Sequence, residues 1–226
     1  MTRLFLSVFI FLNIIHSAQS QPDTVKLGAF INDIYDINLA EKSFSAQFWI
    51  WFNYTIPDID PLGTLEVPNA KEVNYSLEFS EEKNGIQWAG KKVHAVLKKD
   101  WDIRRFPFDA QRLNIELEES DKDIGSMIYV ADSLNTKLDD QLVIANWHIE
   151  RFEITSGGKK YPTTYGDPEL SDGSAYPHAT IALVITRTSW GLFFSLFTGM
   201  YVAFFTMLPV PGSSLLSFMP RSHFCV

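Results

Sequence analysis

The sequence Arg105-Phe106-Pro107-Phe108-Asp109-Ala110-Gln111-Arg112 separates two strand-like segments, residues 90–97 and 113–118. Residues 91–98 and 113–118 alternate apolar and polar side chains, which is typical of half-buried strands. Pro107 fixes its own φ and has no amide hydrogen, so the chain must leave any strand ladder here. Two phenylalanines and the Asp109 carboxylate make this turn both apolar and acidic. Such a turn is suited to docking on another element rather than to lying in water.

Strand patterns also fill the rest of the chain from about Val25 to Arg187. Segments 44–52, 143–154 and 180–186 are rich in residues that favour strands, and Asn84-Gly85 is a strong signal for a two-residue hairpin turn. We expect segment 25–36 to open with a helical turn. Many strands at regular spacing predict an all-β fold, an immunoglobulin-like antiparallel β-sandwich followed by one transmembrane α-helix.

The two ends of the chain predict export and a membrane anchor. Arg3, an apolar run over 4–15 and the small-x-small triplet 18–20 indicate a signal peptide at residues 1–20, with an uncleaved anchor as the alternative. Residues 188–208 are uncharged and apolar enough for a transmembrane helix, the alternative being a buried core helix. The β-sandwich domain then occupies residues 21–187. We expect residues 209–226 to be an aberrant tail of a truncated or frameshifted product.

Composition narrows the class of protein. The formal charge of -8 and the lack of a basic stripe argue against a nucleic-acid partner. The chain has a single cysteine, Cys225, so an exported domain would have no internal disulfide. This favours a bacterial envelope protein, located at the cell membrane with its β-domain extracellular or periplasmic.

The quoted loop resembles the signature loop of pentameric ligand-gated ion channels, the Cys-loop receptor superfamily. Trp101-Asp102-Ile103 within the loop and Asn146-Trp147 further on also suit that family. Lys99 and Leu113 stand where members with a disulfide carry their two cysteines, so the chain looks like a prokaryotic member without the bridge. Arg187 and the following 190–194 resemble the arginine before the first membrane helix and the start of that helix.

This resemblance implies the ligand-sensing domain of a channel subunit that couples ligand binding to pore gating. It implies a small-molecule ligand, contact with membrane lipid, a homopentamer and no cofactor or enzymatic activity. One membrane span cannot line a pore by itself, since the helices that would do so are not in this chain. Two alternatives stay open: a membrane-tethered ligand-binding module that does not conduct, and a secreted β-sandwich glycan hydrolase acting through paired carboxylates.

The resemblance also supplies candidate ligand contacts. The segment between Tyr161 and Tyr176 is similar to the family's loop that folds over the ligand, and Tyr161, Tyr165 and Tyr176 are its candidate contacts. The alternative is packing against the next subunit. Trp49 is a fourth candidate, facing the neighbouring subunit's pocket, with core packing as its alternative. Ser120 replaces a tryptophan of acetylcholine-type members, so the resemblance does not extend to a full aromatic cage.

Six residues are candidates for the gating interface, where the domain meets the membrane: Phe106, Pro107, Phe108, Asp109, Arg187 and Glu41. We expect Arg187 to hold Asp109 through two parallel hydrogen bonds, with Glu41 as a second partner. The alternative is that Arg187 only flanks the membrane helix and reaches the headgroups.

The acidic cluster at 116–123 is interpreted as a solvated face, and no metal site is expected. Calcium binding there is the alternative.

Overall fold

The structure is a computed structural model that describes residues 21–56, 58–168 and 173–207. Ten strands and one helix follow one another in this part of the chain. They are β1 (Asp23–Asn38), β2 (Ser43–Tyr54), β3 (Leu65–Glu66), β4 (Ala70–Lys83), β5 (Ile86–Lys98), β6 (Ala110–Glu119), β7 (Met127–Ala131), β8 (Lys137–Leu138), β9 (Trp147–Tyr161), β10 (Ser174–Arg187) and α1 (Ser189–Met207). The expected signal peptide and tail lie outside the described residues.

The strands form two sheets. One has the order β4-β5-β2-β1-β7, with β8 also paired to β1, and the other has the order β3-β6-β10-β9. The expectation of purely antiparallel pairing is wrong at one edge, since β7 and β8 run parallel to β1. The physical reason is the connection between β6 and β7. It crosses from one sheet to the edge of the other, so β7 is not joined to its neighbour β1 by a hairpin and can pair with it in parallel.

The two sheets share one hydrophobic core. Every second residue of β2 is buried, and β6 and β10 contribute their alternate residues to the same cluster. The core members from these strands are Phe44, Ala46, Phe48, Ile50 and Phe52 together with Leu113, Ile115, Leu117, Ala179, Ile181, Leu183 and Ile185. Burying one large apolar side chain contributes about 1.5–3 kcal/mol, so this cluster supplies the main stabilisation of the domain.

Two local expectations have different outcomes. The hairpin turn at Asn84-Gly85 is confirmed: both residues have positive φ, 55° and 77°, and they join β4 to β5. The helical turn expected in segment 25–36 is wrong, because the segment belongs to β1. Its buried residues Val25, Leu27 and Ala29 recur every second position, which is the period of a strand.

Helix α1 leaves the β-domain at Arg187 and does not pack into its core. Its 19 residues are apolar and long enough to cross a membrane, and none of its apolar window is buried. At 1.5 Å rise per residue it measures about 28 Å, close to the thickness of a bilayer core. Ser189, at its first turn, is its one buried residue.

Candidate functional site

Arg187 and Asp109 form a buried ion pair at the junction of the β-domain and α1. Arg187 Nε donates to Asp109 Oδ1 at 2.8 Å, and Arg187 Nη2 donates to Oδ2 at 3.3 Å. The side chains are 10% and 2% exposed. The main chain repeats the contact, because the Arg187 amide donates to the Asp109 carbonyl at 3.1 Å. The contact expected from the sequence is therefore present.

The surroundings of the pair favour its charged form. Burial raises the pKa of the Asp109 carboxyl, but hydrogen bonds from Arg187 and Gln111 and the positive charge of Arg187 lower it, and the net pKa lies below its ordinary value. The guanidinium also lies over the Trp147 ring, 4.1 Å from its centroid, and 5.2 Å from the Phe106 ring. Asp109 is therefore ionised at neutral pH, and Arg187 is enclosed between a carboxylate and aromatic faces.

Gln111 fixes Asp109 to the loop that precedes it. Its Nε2 donates to Asp109 Oδ2 at 2.8 Å and to the Asp102 carbonyl at 2.7 Å. Its Oε1 accepts the Asp102 amide at 3.2 Å. Trp101 stacks on Trp147 at 6.4 Å between centroids. The loop over 99–109 is thus tied to the same residues that hold Arg187.

The loop contacts the first turn of α1 directly. Phe108 meets Trp190 edge-on at 5.5 Å and Phe193 at 5.8 Å. The Ser189 hydroxyl donates to the Pro107 carbonyl. The Phe106-Pro107 peptide bond is cis. Movement of the loop would therefore be transmitted to the helix through both apolar and hydrogen-bonded contacts.

Glu41 lies in the turn where the sequence placed it, but it is not paired with Arg187. It lies in the turn between β1 and β2, where its amide donates to Asn38 Oδ1 at 2.9 Å and its carbonyl accepts from Lys71. Among the ion pairs of the described residues, the partner of Arg187 is Asp109 and not Glu41. The second contact expected from the sequence is wrong, because the Nε–Nη2 edge of the guanidinium faces Asp109, while Asn38 and Lys71 hold the Glu41 backbone in its turn.

Tyr161, Tyr165 and Tyr176 come together at the other end of the β9–β10 hairpin. Their ring centroids form a triangle with sides of 5.9, 6.2 and 6.2 Å, and all three pairs meet edge-on. Tyr165 is 64% exposed and has a φ of 53°, in the left-handed region. This tyrosine cluster is an open aromatic surface on the loop that was expected to fold over a ligand.

Charged groups lie behind the tyrosine cluster. The Tyr161 hydroxyl donates to the Glu118 carboxylate, with oxygen distances of 2.7 and 2.8 Å. Lys159 lies 3.4 Å from Glu116 and 3.7 Å from Glu118. Burial lowers the pKa of His178, and the Lys159 charge adds to this effect, while the nearby carboxylates oppose it. His178 Nε2 is buried, finds no hydrogen-bond partner among the described residues and lies 3.7 Å from Glu116.

Trp49 is not part of the tyrosine cluster within one chain. It lies on β2 in the other sheet, on the face opposite the core, so the alternative of core packing is wrong. Phe48 and Ile50 on either side of it are the residues that enter the core. With Trp51 and Trp88 it lines an open cleft of about 440 Å³. The cleft faces outward, where a neighbouring molecule could reach it.

In the described part of the chain, no group of three or more His, Cys, Asp or Glu is placed to hold a metal ion. In the 116–123 cluster, Glu116 and Glu118 face Lys159, while Glu119 accepts hydrogen bonds from Thr64 and Tyr129. The chain matches no model of a known protein family, and no curated protein matches it.

Several contacts of the site carry no sequence signal of their own. Trp147 contributes the ring under Arg187, and Glu118 accepts the Tyr161 hydrogen bond. Gln111 is the exception, because it lies two positions after Asp109 in the quoted loop, on the same side of an extended chain.

Proposed function

We propose that this chain is the ligand-sensing part of a pentameric ligand-gated ion channel subunit. The tyrosine cluster binds a small molecule, and the Arg187–Asp109 contact passes the effect of binding to α1. The β-domain lies outside the cell membrane, in the extracellular or periplasmic space, and α1 crosses the membrane. Pore formation requires further membrane helices, so the proposed activity of this chain is ligand sensing and coupling.

One observation carries the proposal: the Arg187–Asp109 pair joins residues 78 positions apart, at the point where loop 99–109 packs on α1. A guanidinium that merely flanked a membrane helix would point to the headgroups. Here the side chain is 10% exposed and turned into the domain. Such an arrangement is suited to holding a helix in one of two positions, which is what a gated channel requires.

The sheets support the finer assignment of an immunoglobulin-like sandwich. Two sheets around one core, with β9 and β10 as an antiparallel hairpin, agree with it. The parallel edge formed by β7 beside β1 departs from a purely antiparallel sandwich. The proposal therefore rests on the two-layer arrangement and not on every pairing.

Strand β10 gives the proposal its mechanical route. Tyr176 lies near its start and Arg187 at its end, so one strand of about 37 Å connects the tyrosine cluster to the ion pair. A ligand that contacts the tyrosines on both sides of the loop would bind best when the loop lies over it. If the two loop positions differ at Arg187, ligand affinity and helix position are thermodynamically coupled.

The outward cleft at Trp49 supports assembly with copies of the same chain. In a ring of subunits, each cleft could face the neighbour's tyrosine cluster, as the sequence resemblance implies. Half-buried aromatic rings in an open cleft are the kind of surface that protein interfaces use. The proposed assembly is a homopentamer.

The experiment is a small-molecule screen on the full chain in lipid nanodiscs, read by thermal shift. Compounds that stabilise the chain are then retested on Tyr176→Ala and on Tyr35→Ala, which removes an exposed tyrosine that lines a cavity with Arg187, away from the tyrosine cluster. The proposal expects stabilisation to disappear in the first variant and to persist in the second. Native mass spectrometry of the same sample should show five copies. Hits that keep their shift in Tyr176→Ala, or a different copy number, would contradict the proposal.

A further inference from the structure

We infer that the membrane-facing end of the β-domain binds the headgroups of anionic phospholipids. Six cationic side chains form this surface, here called the basic rim: Lys42, Lys71, Lys98, Lys99, Arg104 and Arg105. The inference rests on the proposed crossing of the membrane by α1, but not on ligand binding at the tyrosine cluster.

The rim lies around the point where α1 leaves the domain. Loop 99–109 carries part of it and contacts the first turn of α1 through Phe108. The Lys99 amide donates to the Lys42 carbonyl at 2.9 Å, which fixes the β1–β2 turn beside the loop. The Lys71 ammonium donates to the Glu41 carbonyl in the same turn. Three separate chain segments, the β1–β2 turn, β4 and residues 98–105, therefore place cations at one end of the molecule.

The charge of the rim is opposite to that of the rest of the protein. The chain carries a net charge of -8, yet the rim has six cations against the exposed carboxylates Glu41, Asp100 and Asp102. Asp100 is paired with Lys42, and Asp102 is paired with Arg104. Among the described residues, Lys98 and Arg105 take part in no ion pair. The rim thus retains positive charge that no ion pair among the described residues neutralises.

Apolar side chains stand between the cations. Ile103 is 58% exposed and Phe106 is 45% exposed, both in the loop that carries Arg104 and Arg105. Apolar side chains that enter the acyl boundary, next to cations that meet phosphates, are the combination that peripheral membrane segments use. Free phosphate would leave the apolar side chains in water, and an acidic protein would have to compete with the membrane for the same position beside α1. The combination favours phospholipid as the occupant.

The test compares lipid binding to the full chain in detergent by native mass spectrometry. The probes are phosphatidylglycerol, phosphatidylcholine and inorganic phosphate. The test variant is Lys71→Gln/Lys98→Gln/Arg105→Gln. The control variant Lys137→Gln/Arg151→Gln/Lys160→Gln removes two lysines and one arginine that are also exposed but lie outside the rim. Circular dichroism of both variants checks that they fold.

We expect the wild type to prefer phosphatidylglycerol, and the rim variant to lose about fivefold in affinity per cation, or about 100-fold in all. The control variant should keep the preference, and 0.5 M salt should reduce it in all proteins. Equal loss in both variants, an unchanged preference in the rim variant, or full competition by inorganic phosphate would overturn the inference. If ligand hits keep their thermal shift in Tyr176→Ala, the proposed ligand site is refuted, but the lipid inference is not affected.

Discussion

Breaking the Arg187–Asp109 pair should destabilise the β-domain far more than breaking an exposed pair of the same chemistry. Asp109→Asn leaves a guanidinium that is 10% exposed without its charged partner. Removing one partner of a buried ion pair costs about 3–5 kcal/mol. The Trp147 ring keeps part of the interaction with Arg187, so the lower end of this range is expected.

The assay is a double-mutant cycle with Asp109→Asn, Arg187→Gln and the double variant. Urea unfolding of the full chain in micelles, followed by tryptophan fluorescence, gives each free energy of unfolding. The double variant should cost clearly less than the sum of the two single variants, with a coupling energy of about 2 kcal/mol or more.

The control cycle uses Arg112 and Glu153, whose ion pair is 2.9 Å long but has side chains 47% and 35% exposed. Exposed pairs contribute about 0–1 kcal/mol, so its coupling energy should be small. A coupling energy for Arg187 and Asp109 that is no larger than the control would refute the argument from burial.

The same pair predicts a pH dependence. The pKa of Asp109 in the folded chain lies below its ordinary value of 3.8. Because the folded pKa is depressed, the stabilisation is complete above that ordinary value and is lost as pH falls through the folded pKa. Asp109→Asn should therefore remove part of the loss of stability between about pH 4 and the acid limit of folding, measured by the same urea titrations.

Three further predictions concern other parts of the molecule. Phe108→Ala should cost about 1–2 kcal/mol and speed amide exchange at the start of α1, because the ring contacts with Trp190 and Phe193 of the helix are lost. Gly28→Ala should cost about 1–3 kcal/mol, since a Cβ would overlap the Trp51 ring, while a Cβ at Gly157 meets no described atom within 4 Å and Gly157→Ala should be nearly neutral. His178→Gln should flatten the stability curve just below pH 6.5, because a depressed histidine pKa makes the unfolded chain bind the proton first and so lowers stability on acidification. An unchanged curve would mean that His178 titrates alike in both states.

The parts of the fold that sequence predicts are those with a local cause. The Asn84-Gly85 turn follows from two residues that accept positive φ. The Arg187–Asp109 contact was expected because a resemblance placed both residues at one end of the domain. Helix α1 could be predicted from the length and the apolar composition of its segment alone.

The parts that sequence could not predict depend on distant partners. Strand β4 is mostly polar and exposed, and it is a strand because β5 offers it an edge. Residues 48–52 of β2 are apolar on both faces, so their pattern left open whether Trp49 or Phe48 enters the core. Packing of the other sheet against Phe48 determines which of the two faces is buried. The contact expected between Glu41 and Arg187 is not formed for a similar reason, since Lys71 on another strand binds the turn that carries Glu41.

The most direct test of the coupling account is hydrogen exchange of the full chain in nanodiscs, with and without a ligand from the screen. The account predicts slower exchange both in peptides covering Tyr161 and Tyr176 and in peptides covering loop 99–109. In Arg187→Gln, the ligand should still protect the tyrosine peptides but no longer the loop. Protection confined to the tyrosine peptides in the wild type would contradict transmission from the ligand site to the membrane helix.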